Sequence, residues 1–416
     1  MKWKPMGRAA TASILSLAMV LGVSSCSNDY TVAYLYMTTA KTLPHGLINA
    51  FQIDYQSGSL RPLDDSPVDT GGRNTVGLVV APNNLFLYTV NHDDSTVVEF
   101  AIGTDGKLYP QNTYNITGSF ATSAAIDAAG KFLYVTFTYQ NTAAGQELYT
   151  PANPGPGGIT IFPINPKPAT ATDPPENSLG TPTTINAGRN PVGIVASAQN
   201  NFVYVIEQDS ATTANLLGFR ENPSTGALTP LPGVTINPGN VVSTGFTTGP
   251  TPGGILANSA GSVLYVTDQT LNQVAAYSVP SATGVPTLIS GGTVSTEAGP
   301  MGMAFDPMGK YLYVVAYTAN TIDGYTLGAS GQPIRSTVAG SLQAGTAPTC
   351  VTTIGAPSTA NPTHAIYLYA SNALSNNITA EQLNETNGSL EQVQGQPFGG
   401  STLPTCIVAV PAFPLR

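Results

Sequence analysis

A chain of 416 residues with a formal charge of −9, in which only 9% of residues are Asp, Glu, Lys or Arg, is acidic and sparsely charged. Nucleic acid and anionic membrane faces want clustered cations, so this composition argues against both as partners. Its 43 Gly and 34 Pro make it rich in turn residues, and its length suits two ordinary domains or one repeat architecture.

The amino terminus reads MKWKPMGRAATASILSLAMVLGVSSC. Lys2, Lys4 and Arg8 form a basic region, Ala9 to Leu21 a mostly apolar core, and Val23, Ser24 and Ser25 a small-residue end. Residues 1–25 therefore read as a secretory signal, too short and too rich in Ser and Thr to span a bilayer. The VSSC ending resembles a bacterial lipobox, which implies cleavage before Cys26 and lipidation of its thiol, with residues 26–32 as a short tether. Ordinary cleavage with an incidental Cys26 is the alternative. Ser27, not an acidic residue, follows, and resemblance to lipoproteins then implies an exported envelope protein sorted to the outer membrane. Removing the leader leaves 11 Lys plus Arg against 23 Asp plus Glu, and takes away Trp3, the only tryptophan.

After the tether, one short pattern recurs in chain order: YLYMT at 34, FLYTV at 86, FLYVT at 132, FVYVI at 202, VLYVT at 263, YLYVV at 311 and YLYAS at 367. Each precedes a second β-rich run: GLINAFQID, TVVEFAI, GGITIFPIN, NLLGFRE, NQVAAYSV, NTIDGYTL and NNITAEQL. Alternating and β-branched residues bounded by Gly, Asn, Pro and Asp are strand and turn signals. Several copies add a turn and short outer strand, as in SGSLRPL, DGKLYPQ, STGALTPL and NGSLEQV. Upstream, Gly77, Gly193, Gly254 and Gly302 lie eleven residues before Tyr88, Tyr204, Tyr265 and Tyr313, and Ser123 holds that place before Tyr134. The same Pro-x-small pattern appears at APTCV, with Cys350, and LPTCI, with Cys406. Residues 355 to 364, GAPSTANPTH, read as an inserted loop.

The chain ends decide the architecture. The first core has no inner strand before it, and the last inner strand, LPTCIVAV, has no core after it. Pairing the carboxy-terminal strand into the first unit gives an all-β, seven-bladed propeller over residues 33–416, closed on itself with only short protected edges. Small residues at the equivalent inner positions suit strands converging on an axis.

VLYVTD followed by NQVAAYSV resembles the YVTN repeat of bacterial surface propellers. The longer unit, with its Gly-x-Leu outer turn, Pro-x-small inner strand and seven copies, is similar to the 6-phosphogluconolactonase-type lactonase propellers over essentially the whole mature chain. That family often shows Pro-Arg-His at the head of an inner strand and Asn-Glu after a core. Here the inner strands read Pro191-Val192-Gly193, Pro252-Gly253-Gly254, Pro300-Met301-Gly302 and Pro348-Thr349-Cys350, and the cores are followed by Asn91-His92, Glu207-Gln208, Asp268-Gln269 and Asn372-Ala373. The family's catalytic residues therefore do not carry over position by position. The absence of Trp from the mature chain counts against WD40, quinone-dependent and sialidase-type propellers.

In a propeller, loops entering the inner strands and loops leaving the second strands share one mouth of the channel. Arg73, in GGRNTVG, and Arg189, in NAGRNPVG, occupy one repeat position there. Three residues after the core tyrosine come Asn91, Glu207, Asp268 and Asn372, with His92 beside Asn91. One reading is a site for a lactone or small anion, with Arg73, Arg189 and Asn91 binding and Glu207, Asp268 or His92 activating water. The other is that these residues close turns in a noncatalytic surface scaffold for protein or glycan.

No cofactor or metal is expected, because the three histidines are scattered and CxxC, HExxH, GxSxG and Walker patterns are missing. YQNTAAGQELYTPANP is a long insertion at the mouth, where a lid is conceivable, and NPKPATATDPPENSLGTP reads as an excursion at the outer edge. Cys350 and Cys406 hold one repeat position in adjacent blades; a latching disulfide and two inert thiols are both open readings.

Overall fold

Each Tyr-bearing core forms the second strand of a four-stranded antiparallel blade, and seven such blades follow one another in the computed structural model. It describes residues 31–40, 44–140, 156–168, 170, 175–236, 243–355 and 366–412. The expected leader, Cys26, most of the expected tether, the conceivable lid apart from Tyr139 and Gln140, and all of the 355–364 insertion but Gly355 lie outside them. Among the described residues there is no helix.

The second strands are Thr31–Thr39, Phe86–Asn91, Phe132–Gln140, Phe202–Gln208, Val263–Asp268, Tyr311–Ala316 and Ile366–Asn372, defining blades 1 to 7. In blades 2 to 7 the inner strand directly precedes the second: Thr75–Val80, Gly118–Ile126, Pro191–Ala196, Pro252–Ala257, Pro300–Phe305 and Pro348–Gly355. Blade 1 takes its inner strand from the other end of the chain. Pro404–Pro411 pairs antiparallel with Thr31–Thr39, through Tyr34↔Val410 and Tyr36↔Val408 among others. Each inner strand also packs on the next around the cycle, and the carboxy-terminal strand touches its neighbours in both blade 7 and blade 2.

The Pro-x-small pattern is a β-bulge. Pairing between inner and second strand slips between Pro191 and Gly193, Pro252 and Gly254, and Pro348 and Cys350, with matching irregularities in the other blades. An extra residue there bends the strand and sharpens its twist as it reaches the channel mouth. The small residue is needed because the next inner strand passes close by. A Cβ on Gly254 would lie 2.8 Å from the Met301 carbonyl oxygen, and one on Gly302 would lie 2.8 Å from that of Thr349.

The core lies between blades. Hydrophobic clusters join blade 1 to 2, 2 to 3, 5 to 6, 6 to 7 and 7 to 1, and one spans blades 3, 4 and 5. One column of each interface comes from the third strand, where Phe51, Phe100, Phe162, Phe219, Tyr277 and Tyr325 oppose a Leu or Val of the second strand. In blade 7 the equivalent residue, opposite Leu368, is Glu381. It is fully buried, and among the described residues its Oε2 has no hydrogen-bond partner and only the Gln396 amide reaches its Oε1, at 3.5 Å.

The core tyrosine itself explains why the pattern is rewritten seven times. Its hydroxyl donates to a main-chain carbonyl in the turn between the third and outer strands of the next blade. Tyr36 donates to Gly106 (2.6 Å), Tyr88 to Asn177 (2.6 Å), Tyr134 to Gly226 (3.3 Å) and Tyr204 to Gly284 (2.6 Å). Tyr265 donates to Gly331 (2.6 Å), Tyr313 to Gly388 (2.8 Å), and Tyr369 to Gly58 of blade 1 (2.7 Å), closing the cycle. All seven acceptors have positive φ, from 61° at Asn177 to 83° at Gly331, a conformation that glycine and asparagine tolerate best. Asn177 lies in the Pro-rich excursion of blade 3, joined back to the blade by an Ile164↔Leu179 bridge. That segment therefore serves as the interblade acceptor as well as extending the edge.

Candidate functional site

The mouth-side ends of the second strands carry Asn91, Glu207, Asp268 and Asn372, all at most 2% exposed. Each is held by hydrogen bonds to nearby loop or strand residues. Asn91 Oδ1 accepts from Thr75 Oγ1 at 2.7 Å, and its amide donates to Thr96 Oγ1 at 3.3 Å. Asp268 accepts the Thr251 N–H (2.9 Å) and the Leu271 N–H (2.7 Å). Asn372 donates to Asn377 Oδ1 at 2.8 Å.

Glu207 is the most enclosed carboxylate of this set. It accepts the Arg189 N–H at 3.0 Å, the Asn215 amide at 2.7 Å and a short bond from the Ser243 hydroxyl. Burial pushes its carboxyl up, opposed by those donors. Gly188, at φ +78°, lets the Arg189 loop cross it, since a Cβ there would sit 2.6 Å from Glu207 Oε2. Arg189 thus meets Glu207 through its main chain, while its guanidinium reaches the Asp209 carbonyl at 3.3 Å.

Blade 2 presents a more open group. Arg73 is 45% exposed and pinned to Asp94, with Nε to Oδ1 at 2.7 Å and the Arg73 N–H to Oδ2 at 2.7 Å. The bond from Arg73 holds Asp94 below the usual carboxylate range, and Asp94 in turn raises Arg73. Any incoming anion must compete with Asp94 for Arg73. His92 beside it is 31% exposed, and its Nδ1 lies 2.8 Å from Asp93 Oδ1. Burial works to raise Asp93, but hydrogen bonds from Asn74 and His92 outweigh it and hold the carboxyl below its ordinary value. An ionised Asp93 can only accept, so Nδ1 carries the proton in this pair and Nε2 is the ring nitrogen left for a second partner.

The two groups are joined through blade 3. The His92 ring lies 5.1 Å from that of Phe120, and Phe120 meets Tyr139 edge-on at 5.4 Å. Phe120 has a φ of +62°, an uncommon conformation for a bulky residue, fixed in part by a bond from its N–H to Ser95 Oγ. The residue entering the third strand of blade 3, Gly158–Pro163, meets the Arg189 loop, where Gly157 N–H donates to the Gly188 carbonyl at 2.8 Å. An arc over blades 2 to 4 thus brings Arg73, Asn91 and His92 together at one end and Arg189 with Glu207 at the other. Asp268 stands apart in blade 5. Asp93, Asp94, Phe120 and Tyr139 were missed in the sequence; the Asp-Asp directly after His92 was the available signal.

Among the described residues no group of His, Cys, Asp and Glu could hold a metal ion. A cavity of about 630 Å³ between blades 5 and 6, beside Asp306 and Lys310, opens on the face opposite the arc.

A family model described as a lactonase, 7-bladed beta-propeller, matches residues 33–353. The chain belongs to the seven-bladed lactonase family. Among solved structures, this lactonase-family propeller is similar to a putative 6-phosphogluconolactonase from Bacteroides fragilis, at 18% identity and a TM-score of 0.65, covering 92% of this chain and 99% of that one. A second such protein, from Bacteroides uniformis, gives 18% identity, a TM-score of 0.66 and coverage of 91% and 99%. The periplasmic gluconolactonase of Pseudomonas aeruginosa gives 15% identity, a TM-score of 0.65 and coverage of 92% and 100%. At these identities the likeness is one of fold. Comparison with curated proteins finds no match to this lactonase-family chain.

Proposed function

We propose that the chain is an exported lactone hydrolase whose site is the arc over blades 2 to 4, with His92 as general base. The observation that carries this reading is the His92–Asp93 pair at 2.8 Å, partly open to solvent in a lactonase-family propeller. Asp93 fixes the ring and stabilises the imidazolium, while Nε2 takes a proton from water as its oxygen adds to the lactone carbonyl carbon. Collapse of the tetrahedral adduct breaks the ring C–O bond, and the imidazolium returns the proton to the departing alkoxide, leaving a hydroxy acid. Phe120 and Tyr139 suit the C–H face of a sugar ring, and Arg189 the negative charge that develops on the carbonyl oxygen. Glu207 and Asp268, held by their hydrogen bonds, serve in this reading to fix the loops that carry Arg189 and Thr251.

Export rests on the leader and Cys26, and on the Pseudomonas relative being a periplasmic gluconolactonase. An exported enzyme would act on lactones outside the cytosol. The test is a pH-stat assay over a panel of sugar and aliphatic lactones, run with His92→Ala and Asp93→Asn. Loss of a general base costs roughly 10²- to 10⁴-fold in rate. Turnover that survives unchanged in both variants would remove His92 from the chemistry. No turnover of any lactone by the parent would favour the scaffold reading, to which the missing Arg-His and Asn-Glu pairs already point.

A further inference from the structure

Cys350 and Cys406 sit on neighbouring inner strands, Pro348–Gly355 of blade 7 and Pro404–Pro411, the strand that completes blade 1. Their sulfurs are 3.3 Å apart, and both side chains are free thiols with partial solvent access. The two strands are held side by side here, because Thr349 Oγ1 donates to the Thr405 carbonyl at 2.9 Å. At the equivalent place between blades 6 and 7, a Cβ on Gly302 would approach Cys350 Cα to 3.0 Å. Inner strands at this level are therefore close enough for a covalent bridge, and only at blades 7 and 1 do both positions carry sulfur.

We propose that Cys350 and Cys406 form a reversible disulfide that binds the carboxy-terminal strand to blade 7. Thirty-three residues of strand, turn and loop otherwise separate Cys406 from Asn372, the end of blade 7's second strand. The bridge would hold that strand where Thr31–Thr39 must find it, so that it could not leave as a loose tail. The oxidant is an external disulfide. Cys350 as thiolate attacks one of its sulfurs and expels the first external thiol; Cys406 then attacks Cys350 Sγ in the mixed disulfide and expels the second. Two electrons and two protons pass to the external disulfide, which leaves as two thiols. Consistent with that order, the hydrogen bond between the two sulfurs lowers Cys350 and raises Cys406.

The test uses the full chain, reduced and desalted, then incubated with oxidised glutathione, unfolded and labelled with a maleimide. Two fewer reactive thiols than in the reduced protein are expected, with Cys350 and Cys406 in one cross-linked peptide by mass spectrometry. Closing a loop of this size should raise the thermal midpoint by roughly 5 °C over the reduced protein. Cys350→Ser should abolish both changes, and Cys406→Ser serves if that variant does not fold. An undiminished thiol count, glutathione adducts without the cross-link, a bond to Cys26, or a cross-link with no change in midpoint would each overturn the proposal.

Discussion

Glu381 occupies a column that the other six blades fill with Phe or Tyr, so its protonation should be visible in the stability of the whole ring. Burial pushes its carboxyl up from 4.5 to about 7. The folded state therefore holds this proton more tightly than the unfolded state does. Its contribution is fully present below about pH 4.5 and is lost as pH rises towards about 7. At about 1.36 kcal/mol per pH unit the rise corresponds to about 3 kcal/mol, and solvent relaxation around the blade interface reduces the working figure to about 2 kcal/mol. The perturbation is Glu381→Gln, which keeps the shape and removes the titration. Urea unfolding of parent and variant at about pH 5 and about pH 8.5 should show the parent losing about 2 kcal/mol more than the variant between the two conditions. Glu221, also raised to about 7, by burial and then by the nearby Asp127 charge, adds the same slope to both proteins and cancels. Superimposable pH profiles would refute the reasoning, and would mean that the Glu381 carboxyl finds a partner that removes the cost of its charge.

Two further expectations concern the ring and the lipid anchor expected at Cys26. Tyr313→Phe leaves the Gly388 carbonyl without its 2.8 Å donor and should cost about 1–2 kcal/mol in chemical denaturation; a cost below about 0.3 kcal/mol would show that the hydroxyl is dispensable. Cys26→Ala should move the chain from the membrane pellet to the soluble fraction of cells that export it, and unchanged fractionation would remove the lipid anchor.

Much of the fold can be read from the repeat because the same physical demands recur in every blade. Tyr36 through Tyr369 mark strands that need a hydroxyl donor, and Gly254 and Gly302 mark strands that pass too close to a neighbour for a side chain. The complementary missing strands at the two ends point to the pairing of Pro404–Pro411 with Thr31–Thr39. Blade 3 hides its part in the ring because Asn177, not a glycine, supplies the positive φ, and a Pro-rich excursion separates it from the rest of its blade. The misfit at Glu381 was visible in AFQ, EFA, IFP, GFR, AYS, GYT and AEQ, once these are read as one column.

The site was less legible because repeat position says where a side chain begins and not what it meets. Asn91, Glu207, Asp268 and Asn372 share one position, yet their partners differ from blade to blade. Arg73 and Arg189 also share a position, but the first is neutralised by Asp94 and the second approaches Asp209. His92 gains its role from Asp93, the next residue along, and from Phe120, which arrives from another blade. The spacing of the cysteine sulfurs depends on how steeply neighbouring inner strands converge, which no residue pattern encodes.

The seven tyrosine hydroxyls bond around the ring without regard to where the polypeptide begins or stops. The bond from Tyr369 to Gly58 joins the last blade to the first, and it is the same in kind as the bond from Tyr204 to Gly284, which joins two consecutive blades. The polypeptide backbone is linear, and these contacts are cyclic. Which turn carries the break is, for this network, an accident of gene order: a chain opened at another surface turn, with its present ends joined, would keep all seven bonds.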